Sequence, residues 1–190
     1  MQINTSTGLL NSARQQPSPN CDDRPAAYSL DLIVLHNISL PPQQFGGPWI
    51  DALFTNQLPV DADPFFAEIA HLRVSSHLLI RRDGEVVQYV PFHRRAFHAG
   101  LSAYQGREAC NNFSIGIELE GSDYTPFTKA QYTALLSVID ALLHAYPSLS
   151  AAHITGHEHI APIRKTDPGP YFDWQGLADY YQQCLPAPAK

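Results

Sequence analysis

His36 closes a continuous apolar run, Leu32-Ile33-Val34-Leu35, and opens a long segment punctuated by Pro41, Pro42, Gly46, Gly47, Pro48 and Pro59. Ligand sites in α/β sheets gather at the carboxyl ends of strands, so position separates this histidine from the other eight. A second group is His153-x-x-x-His157-Glu158-His159. It is not a helical zinc-protease motif, because H-E-x-x-H is absent and Gly156 breaks the register; solvated loop histidines are the simpler reading. Downstream, Pro168 biases Asp167 toward extended backbone, which sets Lys165 and Asp167 on one side of the chain. Such a pair is either a surface ion pair or a metal-binding carboxylate beside a cation. His36, His157 and Asp167 together form a chemically sensible zinc set. Two neutral imidazoles and one carboxylate leave a fourth tetrahedral position for water, and zinc lowers the pKa of that water toward about 7. Other His/Asp combinations satisfy the same chemistry.

Glu118 lies on a segment that alternates cleanly. Phe113, Ile115, Ile117 and Leu119 share one face, while Ser114, Gly116, Glu118 and Glu120 share the other. The polar face either meets water or offers Glu118 as a proton carrier, with Gly116 leaving room for another group to come close.

The surrounding elements follow from local signals. The unbroken apolarity of 32–35 predicts a central strand covered on both faces. Trp49 to Phe54 predicts a short helical turn, and Asp63-Pro64 a helix start with an acceptor at the cap and proline behind it. His77 to Ile80 and Val86 to Val90 flank Asp83-Gly84, a hairpin signal. Thr128 and Gln131 predict a capping box on a helix from about 128 to 146, which Pro147 stops. A short strand near His153-Ile154-Thr155 and a last helix capped by Asp173 complete the chain. Residues 91–112 read as irregular and residues 37–62 as a loop long enough to gate a site. Strands interleaved with helices predict one α/β domain at 29–185, a mixed central sheet flanked by helices. A surface-laid or mobile lead-in segment with a short helix precedes it at 1–28, and a frayed tail follows at 186–190.

Composition narrows the function. The chain has 190 residues, 44% of them hydrophobic, and 12 basic against 18 acidic residues give a net charge of −6. That balance disfavours nucleic acid as a partner, and no apolar run reaches the roughly 18 residues of a membrane span. The N-terminal sequence carries no basic and apolar signal pattern. Three widely spaced cysteines, Cys21, Cys110 and Cys184, fit a reducing compartment better than a disulfide scaffold. A cytoplasmic location is expected.

Several stretches carry a family resemblance: Val34-Leu35-His36-Asn37-Ile38-Ser39-Leu40-Pro41-Pro42, Phe45-Gly46-Gly47-Pro48-Trp49-Ile50-Asp51, Arg81-Arg82-Asp83-Gly84-Glu85, and Ser114-Ile115-Gly116-Ile117-Glu118-Leu119-Glu120-Gly121. Gly156-His157 and Arg164-Lys165-Thr166-Asp167-Pro168-Gly169-Pro170 complete the set. From about Pro17 to Trp174 the chain resembles the AmpD-type 1,6-anhydro-N-acetylmuramyl-L-alanine amidases of peptidoglycan recycling. Phage amidase lysozymes and peptidoglycan recognition proteins are more distant relations. The resemblance implies zinc held by His36, His157 and Asp167, Glu118 as general base or proton carrier, and Lys165 steadying the oxyanion. It implies cytosolic muropeptides bearing 1,6-anhydromuramic acid as substrate, with Asn37 and Arg73 touching sugar or peptide. A monomer is expected. Ala109 departs from the family pattern, where related sequences carry arginine, and so bears on how the peptide stem is gripped. The rival readings are an amidase acting on intact wall glycan and a zinc-free muropeptide-binding module.

Overall fold

The computed structural model describes residues 1–184; the tail expected at 186–190 lies outside them. The lead-in segment carries no helix. It holds four short strands, β1 (Ile3–Asn4), β2 (Leu9–Leu10), β3 (Arg14–Gln15) and β4 (Cys21–Asp23). Rather than lying loose, it is sewn into the body. Leu10 is buried, the Gln88 side chain bonds the Leu10 N–H and the Gly8 carbonyl, and the Arg24 guanidinium donates to the carbonyls of Asn111 and Ser114. Polar composition misled here because side chain-to-backbone bonds, not an apolar stripe, hold the segment.

Along the chain follow β5 (Leu32–Ile38), α1 (Trp49–Phe54), α2 (Pro64–Ile69), β6 (Leu78–Ile80), β7 (Val86–Gln88) and β8 (Arg94–Ala96). Then come the small hairpin β9 (Ala103–Tyr104) and β10 (Arg107–Glu108), β11 (Ser114–Glu120), α3 (Lys129–Ala145), β12 (Ile154–Gly156), α4 (His157–Ile160) and α5 (Trp174–Cys184). The expected local devices are present. Asp63 accepts from the Phe65 N–H at 2.9 Å, and Thr128 and Gln131 close a capping box. Gly84 takes φ +89° in the β6–β7 turn, where a glycine carries no Cβ penalty.

The main sheet runs β12-β5-β11-β6-β7-β3. β12, β5, β11 and β6 are mutually parallel, β7 is antiparallel to β6, and β3 runs parallel to β7. The mixed α/β domain with flanking helices is therefore as expected. Ile33, Leu35, Ile115, Ile117 and Leu119 pack against Leu135, Val138, Ile139 and Leu142 of α3 and Leu177 of α5. On the opposite side Leu79 and Val87 pack with Ile50, Leu53, Phe54 and Phe66 of α1 and α2.

The segment between β5 and α2 is anchored. Glu120, 1% exposed, accepts from the Gly46 N–H at 2.6 Å and the Arg82 N–H at 3.2 Å. Arg81 donates to the Gly47 carbonyl at 2.9 Å, Tyr89 bonds Asp51, and the Phe54 carbonyl accepts from Ser18 Oγ. These bonds hold residues 46–56 as a fixed wall, so the expected gating loop is tethered over that stretch. Glu120 thus has a structural partner set, not the solvent its alternation allowed.

Candidate active site

β5 and β11 pair in parallel with Glu118 opposite His36, so both side chains leave the same sheet face at the carboxyl ends of their strands. β12 pairs with β5 one position earlier, Gly156 opposite Leu35, and His157 follows as the first residue of α4. The loop expected from Gly156 onward therefore begins with one helical turn. Asp167 returns alongside: its carbonyl accepts from the Glu158 N–H at 2.9 Å.

Three donor atoms converge. His36 Nδ1 lies 3.0 Å from His157 Nδ1 and 2.9 Å from Asp167 Oδ2, and His157 Nδ1 lies 3.0 Å from the same oxygen. The His157 Nε2 stands 3.0 Å from the Ala99 carbonyl, which can only accept, so Nε2 carries the hydrogen and Nδ1 of the neutral ring presents a lone pair. A lone pair 3.0 Å from a carboxylate oxygen is repelled unless positive charge lies between them. Tetrahedral zinc, with bonds of about 2.0–2.1 Å, spaces its donors about 3.3 Å apart, close to the edges of this triangle. The set fits zinc in both donor chemistry and spacing. His36 is 2% exposed, and burial brings its pKa down to about 4 despite the neighbouring Asp167, which keeps the ring neutral as a metal ligand requires.

Glu118 is 8% exposed, and its Oε2 has no hydrogen-bond partner among the described residues. Burial, reinforced by Asp167 and opposed by Lys165, pushes its pKa well above the usual glutamate value. It faces a cavity of about 370 Å³ together with His36, Asn37, His157, Lys165 and Asp167. The wall opposite is apolar: Leu53, Phe54, Phe65, Ile69, Leu72, Val74 and Phe97. A cleft with one apolar wall and a few convergent polar groups suits an organic substrate.

The remaining expected residues are placed differently. Asn37 lines the cavity but spends its amide hydrogens on Asp123 Oδ1 at 2.7 Å and the Pro168 carbonyl at 3.1 Å. Arg73 is exposed and turned to the carbonyls of Ala70, His71 and Leu72, while its neighbours Leu72 and Val74 reach the cavity. Sequence reasoning missed His98, which lies in the stretch read as irregular. Its Nδ1 is 2.9 Å from His36 Nε2 and its Nε2 is 3.1 Å from Ser114 Oγ. One signal was available: a Cβ at Gly116 would come within 2.5 Å of the His98 ring, so the close approach for which Gly116 leaves room is by His98.

An open cleft at the strand ends of a mixed sheet, with a donor triangle, a buried carboxyl and a lysine, is the arrangement of a hydrolytic enzyme built on a mixed α/β fold. Comparison with known proteins sharpens this. The profile of the N-acetylmuramoyl-L-alanine amidase family, Amidase_2, matches residues 26–170. The chain is 65% identical over 167 residues to the 1,6-anhydro-N-acetylmuramyl-L-alanine amidase AmpD of Enterobacter cloacae, covering 88% of this chain and 89% of that protein. A crystal structure of a selenomethionine AmpD derivative superposes with a TM-score of 0.90 at 59% identity, covering 94% of this chain and 98% of that one. The amidase AmiD of Escherichia coli, solved with anhydro-N-acetylmuramic acid-L-Ala-D-γ-Glu-L-Lys, superposes with a TM-score of 0.59 at 32% identity over 85% of this chain and 60% of that one. The chain belongs to the N-acetylmuramoyl-L-alanine amidase family and is an enzyme of that class. No helix among the described residues is long and apolar enough to cross a membrane.

Proposed function

We propose that this amidase is zinc-dependent and hydrolyses the bond between the lactyl group of 1,6-anhydro-N-acetylmuramic acid and L-alanine in cytoplasmic muropeptides, as a monomeric enzyme of peptidoglycan recycling. The observation that carries the reading is the His36–His157–Asp167 triangle beside the unpartnered Glu118 carboxylate. The similarity to AmpD and the anhydromuropeptide bound by AmiD support the substrate class.

His36, His157 and Asp167 would hold the zinc, which when bound supplies Lewis acidity toward the scissile carbonyl and acidifies water. Glu118 takes a proton from the attacking water as its oxygen bonds to the carbonyl carbon. Its raised proton affinity suits this task near neutrality. Lys165 places positive charge beside the oxygen on which negative charge develops. When the carbon–nitrogen bond breaks, the departing L-alanine amine takes a proton from Glu118 or from Lys165, both of which line the cavity, and a lactyl carboxylic acid is left. The family resemblance assigns sugar or peptide contacts to Asn37, which lines the cavity, and to Arg73, whose chain neighbours Leu72 and Val74 line it. Incubation with anhydromuramyl-tripeptide, with and without a chelator, tests the reading. Release of free tripeptide that chelation abolishes and zinc restores is expected. An unchanged substrate mass in the zinc-loaded sample would overturn the assignment, as would digestion of intact sacculi in preference to the soluble substrate.

A further inference from the structure

We propose that His98 is a positioning residue that sets the tautomer of His36, turning the Nδ1 lone pair of that ring into the donor triangle. The inference rests on the reading of His36 as a zinc ligand and goes beyond it, because it assigns a role to a residue outside the ligand set.

Three sets of contacts place the His98 ring. Its Nδ1 meets His36 Nε2 at 2.9 Å and its Nε2 meets Ser114 Oγ at 3.1 Å. Its backbone is fixed from behind, since Asn111 Oδ1 accepts from the N–H of His98 at 3.1 Å and of Ala99 at 2.8 Å. The missing side chain of Gly116 makes its space, because an added Cβ would meet three atoms of the ring at 2.5–2.7 Å. The two rings stand edge to face, 86° apart with centroids 5.0 Å apart, and their short contact is between the two ring nitrogens.

The hydrogen-bond chain runs in either of two directions. In one, His36 Nε2–H donates to His98 Nδ1, His98 Nε2–H donates to Ser114 Oγ, and His36 Nδ1 is bare. In the other, the Ser114 hydroxyl donates to His98 Nε2, His98 Nδ1–H donates to His36 Nε2, and the His36 proton sits on Nδ1, facing Asp167. Only the first leaves three lone pairs converging. A serine hydroxyl serves as donor or acceptor, so the chain takes the first direction without moving a heavy atom once positive charge at the triangle expels the proton from His36 Nδ1, and His98 Nδ1 then holds that proton on Nε2. The adjacent residue does the same for the other imidazole: the Ala99 carbonyl fixes His157 Nε2–H, and Arg164 donates to that carbonyl at 2.8 Å. One short stretch, His98-Ala99, thereby orients both histidines of the triangle.

The test is zinc affinity, measured by competition with a chromophoric chelator, beside thermal melting of the metal-free protein. The wild-type protein is measured first, and failure to bind one zinc would overturn the ligand reading itself. With that established, His98→Ala and Ser114→Ala are expected to weaken zinc binding by about 10- to 100-fold, as loss of a ligand's hydrogen-bond partner does elsewhere. His98→Asn, which offers an amide oxygen near the Nδ1 position, is expected to recover most of the loss. Nitrogen-15 spectra of the zinc-loaded wild type should show His36 protonated at Nε2. Wild-type affinity in both alanine variants would overturn the proposal. So would equal losses in His98→Ala and His98→Asn that track lowered melting of the metal-free protein, since a purely structural role predicts that pattern.

Discussion

Glu118 and His36 are register partners on adjoining parallel strands, β11 and β5. Neighbouring strands lie about 4.8 Å apart, and partners in register project to the same face. Backbone hydrogen bonding of the sheet therefore fixes the separation of the proton carrier from the donor triangle, and no flexible loop sets it.

Glu118→Gln is expected to keep zinc and lose turnover by about 100- to 10,000-fold, the usual worth of a general base. In the wild type, kcat/KM should fall on the acid side at a pH above the ordinary glutamate range, because burial raises the Glu118 pKa and the carboxylate is the active form. Stability has the opposite sign. The folded state binds this proton more tightly than the unfolded chain, so stability falls as pH rises through the interval between the two pKa values. The metal-free Glu118→Gln protein should melt above wild type at neutral pH, with the gap closing as pH drops toward the ordinary glutamate pKa. Near-normal turnover in this variant would remove Glu118 from the mechanism.

Asp167→Ala and His36→Ala should lose zinc and activity together, as read by metal analysis of the purified proteins alongside the amidase assay. Each removes one corner of a triangle whose edges are 2.9 to 3.0 Å, leaving two donors for an ion that needs at least three from the protein. Full zinc occupancy in either variant would contradict the ligand assignment.

Lys165→Ala should lower kcat by about 100- to 1,000-fold, the scale of one oxyanion donor, and change KM far less. A rise in KM with kcat intact would make Lys165 a substrate anchor instead.

Ile163→Gly should stabilise the protein. Ile163 is a β-branched residue at φ +74°, where a side chain costs about 1–2 kcal/mol. Its side chain is fully exposed, so no packing is lost. Offsetting about 0.5–1 kcal/mol for the added freedom of glycine in the unfolded chain leaves a gain of about 0–1.5 kcal/mol, at about 2–4 °C in Tm for each kcal/mol. Melting curves of the two proteins decide it.

What the sequence made legible was local. The apolar run of β5, the cap of α2, the capping box of α3 and the β6–β7 turn each rest on contacts within a few residues or on periodicity, and each formed as expected. The donor triangle was partly legible, because His36 and Asp167 carry positional signals, but its choice among other His/Asp sets came from family resemblance. His98 was legible only as an unnamed group that Gly116 leaves room for. Its partners are Ser114, Asn111 and His36, 13 to 62 residues away, and no periodic apolar pattern marks a segment held by side chain-to-backbone bonds. The alternation of β11 left its polar face open to water or to chemistry; all seven of its residues are buried, because Ser114 bonds His98 and the His98 ring fills the space over Gly116.

Two carboxylates on β11, two residues apart, serve different ends: one looks into the cleft, and Glu120 grips Gly46 and Arg82. Chemistry and enclosure are consequently hung from a single rigid beam. Anything that shears that strand by one position would swing the acid out of reach and unfasten the rampart around the cleft at a stroke.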